Sequence, residues 1–322
     1  MALVSMIALH IKINGSVSWK NGCALFNVKF VIFLKVKVMK KSILLPLLLL
    51  FALCASAQKP VVVNLWPNGA PNDNGITTPE LVRSDDRIEN ISNATLTVFP
   101  SPKPNSKALI CCPGGCYKWE AVRSEGADMA PFMNNICVTF IVLKYRLPNG
   151  GHDSVPLADA NEAIRYVRQH AKDWNVDPNE VGIMGCSAGG HLAATAACYY
   201  DASSRPDFQV LVYPVISMDN AITHRLSRIM LIGNNPTEAM IDKYSMDKHV
   251  TKDSPRAFIM LCSDDNGVPP ENSLRYYKSL LDNHVSVTMH IYPKGGHGFG
   301  FRDSMPFKTL WTSELEKWLS TF

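Results

Sequence analysis

Five residues constrain this chain more than any others: Gly185-Cys186-Ser187-Ala188-Gly189, a G-x-S-x-G pattern. The short apolar run Val181-Gly182-Ile183-Met184 precedes it, and the helix-forming run His191-Leu192-Ala193-Ala194-Thr195-Ala196-Ala197 follows. A strand that turns into a helix within so few residues needs small side chains on both sides of the turn. Such a turn lifts the Ser187 hydroxyl clear of the sheet, and the new helix aims its positive end at it. The pattern predicts an α/β chain with Ser187 presented as a nucleophile at a strand end. Cys186 sets a thiol beside the turn, but the turn exposes its central residue, Ser187.

The rest of the sequence alternates in the same sense. Val61–Leu65, Ala94–Phe99, Lys107–Cys112, Cys137–Tyr145, Glu180–Met184, Phe208–Tyr213, Ala257–Cys262 and Ser286–Tyr292 read as strands. Leu157–Lys172 carries Ala160, Ala163, Ile164 and Val167 at helical spacing. Ala188–Tyr199, Pro270–Asn283 and Phe307–Leu319 read as helices, and Met129–Asn134 lies in another. Strand–helix alternation predicts a mostly parallel central sheet with helices on both faces. The early strands lack intervening helices, so that edge is expected to be antiparallel. An insertion of about forty residues, 215–255, separates two of the later strands.

The formal charge of +4 over 322 residues does not describe the predicted domain. Seven lysines and no Asp or Glu lie in 1–57, leaving 25 basic and 28 acidic residues in 58–322, a net charge of −3. A nucleic-acid partner is therefore not expected. Residues 39–57 (MKKSILLPLLLLFALCASA) have the three parts of a secretory signal peptide, with Ala55-Ser56-Ala57 as the cleavage pattern. The apolar run is too short to span a bilayer comfortably, so no stable membrane anchor is expected. The expected location is secreted or periplasmic. Residues 1–38 then read as an upstream extension ahead of a start at Met39, and 58–322 as one domain of 265 residues. Most of its seven cysteines sit in apolar runs and read as buried small hydrophobes. No C-x-x-C pair or His/Cys cluster has zinc spacing, so neither metal nor cofactor is expected.

Serine needs a base, and the base needs a carboxylate to orient it. His297 stands in Gly295-Gly296-His297-Gly298-Phe299-Gly300, directly after the last predicted strand. His290 is inside that strand, His284 is on a helix end, and His191 follows the elbow as a structural residue. The loop after Ala257–Cys262 offers two acids, Asp265 and, as the alternative, Asp264. The order Ser187…Asp265…His297 is the α/β-hydrolase order. Pro113-Gly114-Gly115-Cys116-Tyr117 follows another strand end. There the N–H groups of Gly115 or Cys116, with that of Ala188, are candidate oxyanion donors. Taken alone, the loop is an ordinary glycine turn.

The stretches CPGGCY, VLKYRLP, GCSAGGHLAA, VYPVIS, DDNGVPPENS and IYPKGGHGFG span Cys112 to Gly300 in one order. Together they resemble the secreted bacterial acetyl xylan esterases and related carbohydrate esterases of the α/β-hydrolase family. The resemblance implies a serine esterase working through an acyl-enzyme, with Ser187, Asp265 and His297 as its triad and an oxyanion loop at Gly114–Tyr117. It also implies an acetylated polysaccharide or oligosaccharide substrate, xylan favoured. Cys116 departs from the family, where a third glycine is common, and narrows the expected acyl pocket. Cys186 is a second departure. Tyr117 and Trp119 beside the loop are candidates to stack on a sugar ring. Two rival readings are a serine peptidase of the prolyl-oligopeptidase type and a non-catalytic binding protein on the same scaffold. The peptidases usually carry a propeller, for which 265 residues leave no room.

Overall fold

A computed structural model describes residues 12–20, 23–31, 59–83, 86–103 and 106–322. The chain divides into two units, 1–57 and 58–322. In the first, strands β1 (Lys12–Lys20) and β2 (Cys23–Val31) pair as an antiparallel hairpin. That hairpin falls in the stretch read as an upstream extension; the signal-like segment 39–57 lies outside the described residues.

The second unit is built on an eight-stranded sheet. Its strands are β3 (Val61–Asn64), β6 (Thr95–Phe99), β7 (Ser106–Cys112), β9 (Thr139–Lys144), β10 (Val176–Cys186), β11 (Phe208–Val212), β12 (Arg256–Cys262) and β13 (Val287–Tyr292). The spatial order is β13-β12-β11-β10-β7-β9-β6-β3. From β9 to β13 every pairing is parallel; β6 pairs antiparallel with both β9 and β3. The antiparallel edge is where the sequence has no helices to carry a crossover. β11 is buried along its whole length and β12 beyond its first residue, which is why both read as continuous apolar runs.

Helices α1 (Ala130–Asn135), α2 (Ser154–Gln169) and α3 (Ala188–Cys198) come from the first half of this unit. α2 starts three residues earlier than its apolar spacing predicts, because Pro156 fits a first helical turn, where its missing N–H costs nothing. β10 reaches back to Val176 through a register irregularity between Val176 and Val181, around Pro178. The insertion folds into α4 (Arg225–Ile232), α5 (Glu238–Lys243) and a 3-10 turn at Met246–Lys248. α6 (Glu271–Asp282) and α7 (Lys308–Leu319) complete the unit. A small sheet of β4 (Leu81–Val82), β5 (Arg87–Glu89) and β8 (Trp119–Ala121) escaped the sequence reading, since two or three residues carry no alternation. Among the described residues no helix is long and apolar enough to cross a membrane.

Seven cysteines of this unit are free thiols. Cys111, Cys112, Cys186 and Cys262 are buried, as small hydrophobes would be. Cys137 and Cys198 are only partly so, because each stands just outside a regular element, or at its end.

Candidate active site

β10 ends at Cys186 and α3 begins at Ala188, so one residue makes the turn. Ser187 has φ 54° and ψ −120°, a conformation that favours glycine. The surroundings hold it there. Its N–H donates to Val212 O (3.1 Å), and its carbonyl accepts from His191 N (3.1 Å) and Val215 N (3.0 Å). Any side chain at Gly189 would overlap the carbonyls of Cys112 and Pro113, so this position admits only glycine if the helix is to pack against β7.

Ser187 Oγ lies 2.7 Å from His297 Nε2, and His297 Nδ1 lies 2.7 Å from Asp265 Oδ2. A carboxylate only accepts, so Nδ1 carries the proton and Nε2 is free to accept from the serine hydroxyl. Asp265 is held by its other oxygen, which accepts from the N–H groups of Gly267 (2.9 Å) and Val268 (2.8 Å). Its side chain is 1% exposed against 24% for His297. The neighbouring acid faces elsewhere: Asp264 accepts from Gly296 N (2.8 Å) and Gly295 N (3.3 Å), which fixes the loop that carries the imidazole. These N–H groups, that of Gly296 foremost, hold the Asp264 carboxyl below the usual range. His290 packs on Phe258, and His284 closes α6 with a left-handed backbone. His191 is buried between Tyr117 Oη at Nδ1 and Tyr244 O at Nε2, both 2.8 Å. Burial pushes its pKa down to about 4, so it is neutral at pH 7.

The glycine loop is pressed against the elbow. A side chain on Gly114 would come within 2.7 Å of Cys186 O and 2.9 Å of Ser187 Cβ. Gly115, Cys116 and Tyr117 all have positive φ (135°, 60° and 59°), and the Gly115 carbonyl accepts from Lys118 N and Trp119 N, both 3.0 Å. The N–H of Gly114 is taken by Glu125 Oε2 at 2.7 Å. Those of Gly115 and Cys116 have no acceptor among the described residues, nor has that of Ala188, the first N–H of a helix. Burial pushes the Cys116 thiol up to about 11 and the Cys186 thiol well above its ordinary value. Both are therefore neutral thiols, the unreactive form.

Tyr117 requires a correction. It is 1% exposed, its hydroxyl is on His191, and its ring packs edge-on against Tyr145 and His191. No face of the ring is open to stack on a sugar; Tyr117 anchors the loop from below. Trp119 is half-buried, with the guanidinium of Arg87 5.2 Å from its ring centre.

Three residues went unnoticed in the sequence. Glu125 is buried; besides Gly114 N it accepts from Tyr213 Oη at 3.0 Å. Tyr213 Oη in turn accepts from Gly300 N at 2.8 Å, and its ring lies edge-on to His297, 5.0 Å between centres. Burial raises the Glu125 pKa, opposed chiefly by these two hydrogen bonds. One carboxylate thus ties the glycine loop to the loop of the imidazole. The third residue is His224, whose ring lies within 18° of parallel to that of His297 at 6.3 Å. Its Nδ1 accepts from Ser227 N (3.3 Å) and caps α4, so the sequence hides it as the end of an insertion helix. Burial, then the nearby His297, lowers its pKa.

A family model described as an alpha/beta hydrolase fold matches residues 109–301. An acetylxylan esterase of Xylanibacter ruminicola is 34% identical over 232 residues, covering 71% of this chain and 48% of that protein. An endo-1,4-beta-xylanase B of Butyrivibrio fibrisolvens is 34% identical over 154 residues, 44% of this chain and 24% of that one. The chain thus spans about half of the first relative and a quarter of the second. A solved structure, the acetyl ester-xyloside bifunctional hydrolase from Caldicellulosiruptor lactoaceticus, superposes with a TM-score of 0.69 at 32% identity, covering 81% of this chain and 96% of that one. With a mostly parallel sheet, a strand–serine–helix elbow and a match over more than half its length, the chain belongs to the α/β-hydrolase fold family.

Proposed function

We propose that the protein is an exported serine esterase that removes acetyl groups from plant polysaccharide or its oligosaccharides, acetylated xylan favoured. The observation that carries this reading is the unbroken relay Ser187 Oγ–His297–Asp265, 2.7 Å at each step, at the C-terminal ends of β10, β12 and β13. The similar acetylxylan esterase and acetyl ester-xyloside hydrolase supply the substrate class.

In the proposed reaction His297 Nε2 takes the Ser187 proton as Oγ attacks the acetyl carbonyl. The N–H groups of Gly115, Cys116 and Ala188 receive the charge that develops on the carbonyl oxygen. His297 then passes its proton to the departing sugar oxygen, leaving acetyl on Ser187. Water, deprotonated by the same nitrogen, adds to the acyl carbon, and acetate leaves as Oγ regains its proton. Asp265 stabilises the imidazolium and keeps its tautomer. Cys116 stands in the loop beside the acyl group, where its side chain limits the pocket to short acyl chains. Trp119, half-buried four residues after Gly115, is the proposed stacking partner for a sugar ring. The segment 39–57 is proposed to direct export.

The test is acetate release from acetylated xylo-oligosaccharides and from an aryl acetate by wild type and Ser187→Ala. The expected loss in the variant is three orders of magnitude or more, roughly, on both substrates. Near-normal activity of Ser187→Ala would overturn the mechanism; lower efficiency on the sugar than on the aryl ester would overturn the substrate.

A further inference from the structure

α4 starts immediately after His224, and its first turns form a wall of a cavity of about 610 Å3. The lining is polar: Asn220, Thr223, Arg225, Arg228, Asn234 and Asn235 contribute to it. Thr223 and Arg225, which line it, flank His224 in sequence, and the His224 ring lies 6.3 Å from that of His297.

The two arginines set this cavity apart. Arg146, Arg165, Arg168 and Arg275 each hold a carboxylate. Arg225 and Arg228 have no side-chain hydrogen bond or ion pair among the described residues, in a domain where acidic residues outnumber basic ones. The Nε of Arg228 is buried without an acceptor. A buried donor left unmade is costly, and a guanidinium fork matches a carboxylate in shape and charge. Asparagine and threonine side chains around it suit ring hydroxyls, and the volume is in the range of small-molecule sites, about 300–1,000 Å3.

We propose that this cavity is a subsite for the carboxylate of an acidic sugar, a hexuronic acid unit carried next to the acetylated residue of the substrate. The proposal rests on the carbohydrate-esterase reading and narrows it to acidic branches of the polysaccharide. Arg225 and Arg228 grip the carboxylate, and Asn220, Asn234 and Asn235 receive the hydroxyls.

Two measurements test it. Calorimetry compares an acetate-free xylotriose bearing one glucuronic acid branch with plain xylotriose. The acidic sugar is expected to bind about 10- to 100-fold more tightly to wild type. In the R225Q/R228Q variant that gap is expected to close to within about threefold. Equal binding of the two sugars by wild type, or a gap that survives in the folded variant, overturns the proposal. So does inorganic phosphate displacing the acidic sugar at equal concentration, since the site would then be a general anion site. Kinetics then compare kcat/KM on acetylated oligosaccharides with and without the acid. The acidic-to-neutral ratio is expected to fall at least about tenfold in the variant, mostly through KM. If neither acetylated sugar is turned over while an aryl acetate is, the carbohydrate reading fails, and the binding measurement judges the cavity by itself. Should the double variant not fold, Arg225→Gln, on an exposed side chain, takes its place in both measurements.

Discussion

Glu125 touches no reacting atom in the proposed mechanism, yet replacing it should slow the reaction. In Glu125→Gln the carbon frame stays, but one oxygen becomes an NH2 group. If the amide oxygen keeps the Tyr213 hydroxyl, the NH2 faces the N–H of Gly114, donor to donor. If it keeps Gly114, the NH2 meets a Tyr213 oxygen that already accepts from Gly300 N. Either way at least one buried hydrogen bond is lost and a donor is stranded, a cost of about 1–3 kcal/mol. The loop that bears it carries the N–H groups of Gly115 and Cys116, which in the proposed mechanism act in the transition state. Roughly 5- to 150-fold should therefore come off kcat, with KM little changed. The assay is steady-state acetate release, normalised to the sites labelled by a fluorophosphonate, so that unfolded protein does not count. A labelled, folded Glu125→Gln enzyme with kcat within twofold of wild type would refute the reasoning. A loss seen only in KM would do the same.

The two adjacent acids should separate cleanly. Asp265→Asn deprives the imidazolium of its carboxylate and is expected to lower kcat by about two to four orders of magnitude, whereas Asp264→Asn, which only weakens two loop contacts, should cost less than about tenfold; equal losses would show that the roles are misassigned. His191 predicts acid lability. Its folded pKa of about 4 lies below the unfolded value near 6.5, so its contribution is complete above pH 6.5 and is lost as pH falls through that window towards 4. The loss is of order 3 kcal/mol by pH 4. Denaturant titrations should show it, and a His191→Asn variant, weaker at pH 7, should have a flatter pH profile; an equally steep one removes His191 as the cause.

The elbow was legible because it joins two patterns, an apolar run and an alanine-rich helix, at a pair of glycines. His297 was legible because glycines flank it after a strand. The sequence favoured Asp265 over Asp264 by position and family resemblance alone: both follow the same strand, and the backbone turn is what brings the Asp265 carboxylate to the ring. Tyr117 misled because an aromatic residue beside a glycine loop looks exposed, while two left-handed residues in a row swing its ring into the core. Glu125 and Tyr213 are 88 residues apart and meet only through the sheet. His224 sits in the insertion, whose polar composition gives no hint that one end folds back over the site. Parallel order was implied by alternation, whereas the three-stranded β4-β5-β8 sheet left no periodic trace.

The backbone at Ser187 has a wider consequence. Holding a non-glycine residue at φ 54°, ψ −120° costs about 1–3 kcal/mol, a sizeable share of what keeps a domain folded. Glycine would sit there without strain. A Ser187→Gly chain should thus melt above its Ser187→Ala counterpart while doing no chemistry, and drift that rewarded durability alone would erase the hydroxyl first. On the proposed mechanism, selection for catalysis, not for stability, is what would keep a serine at this position.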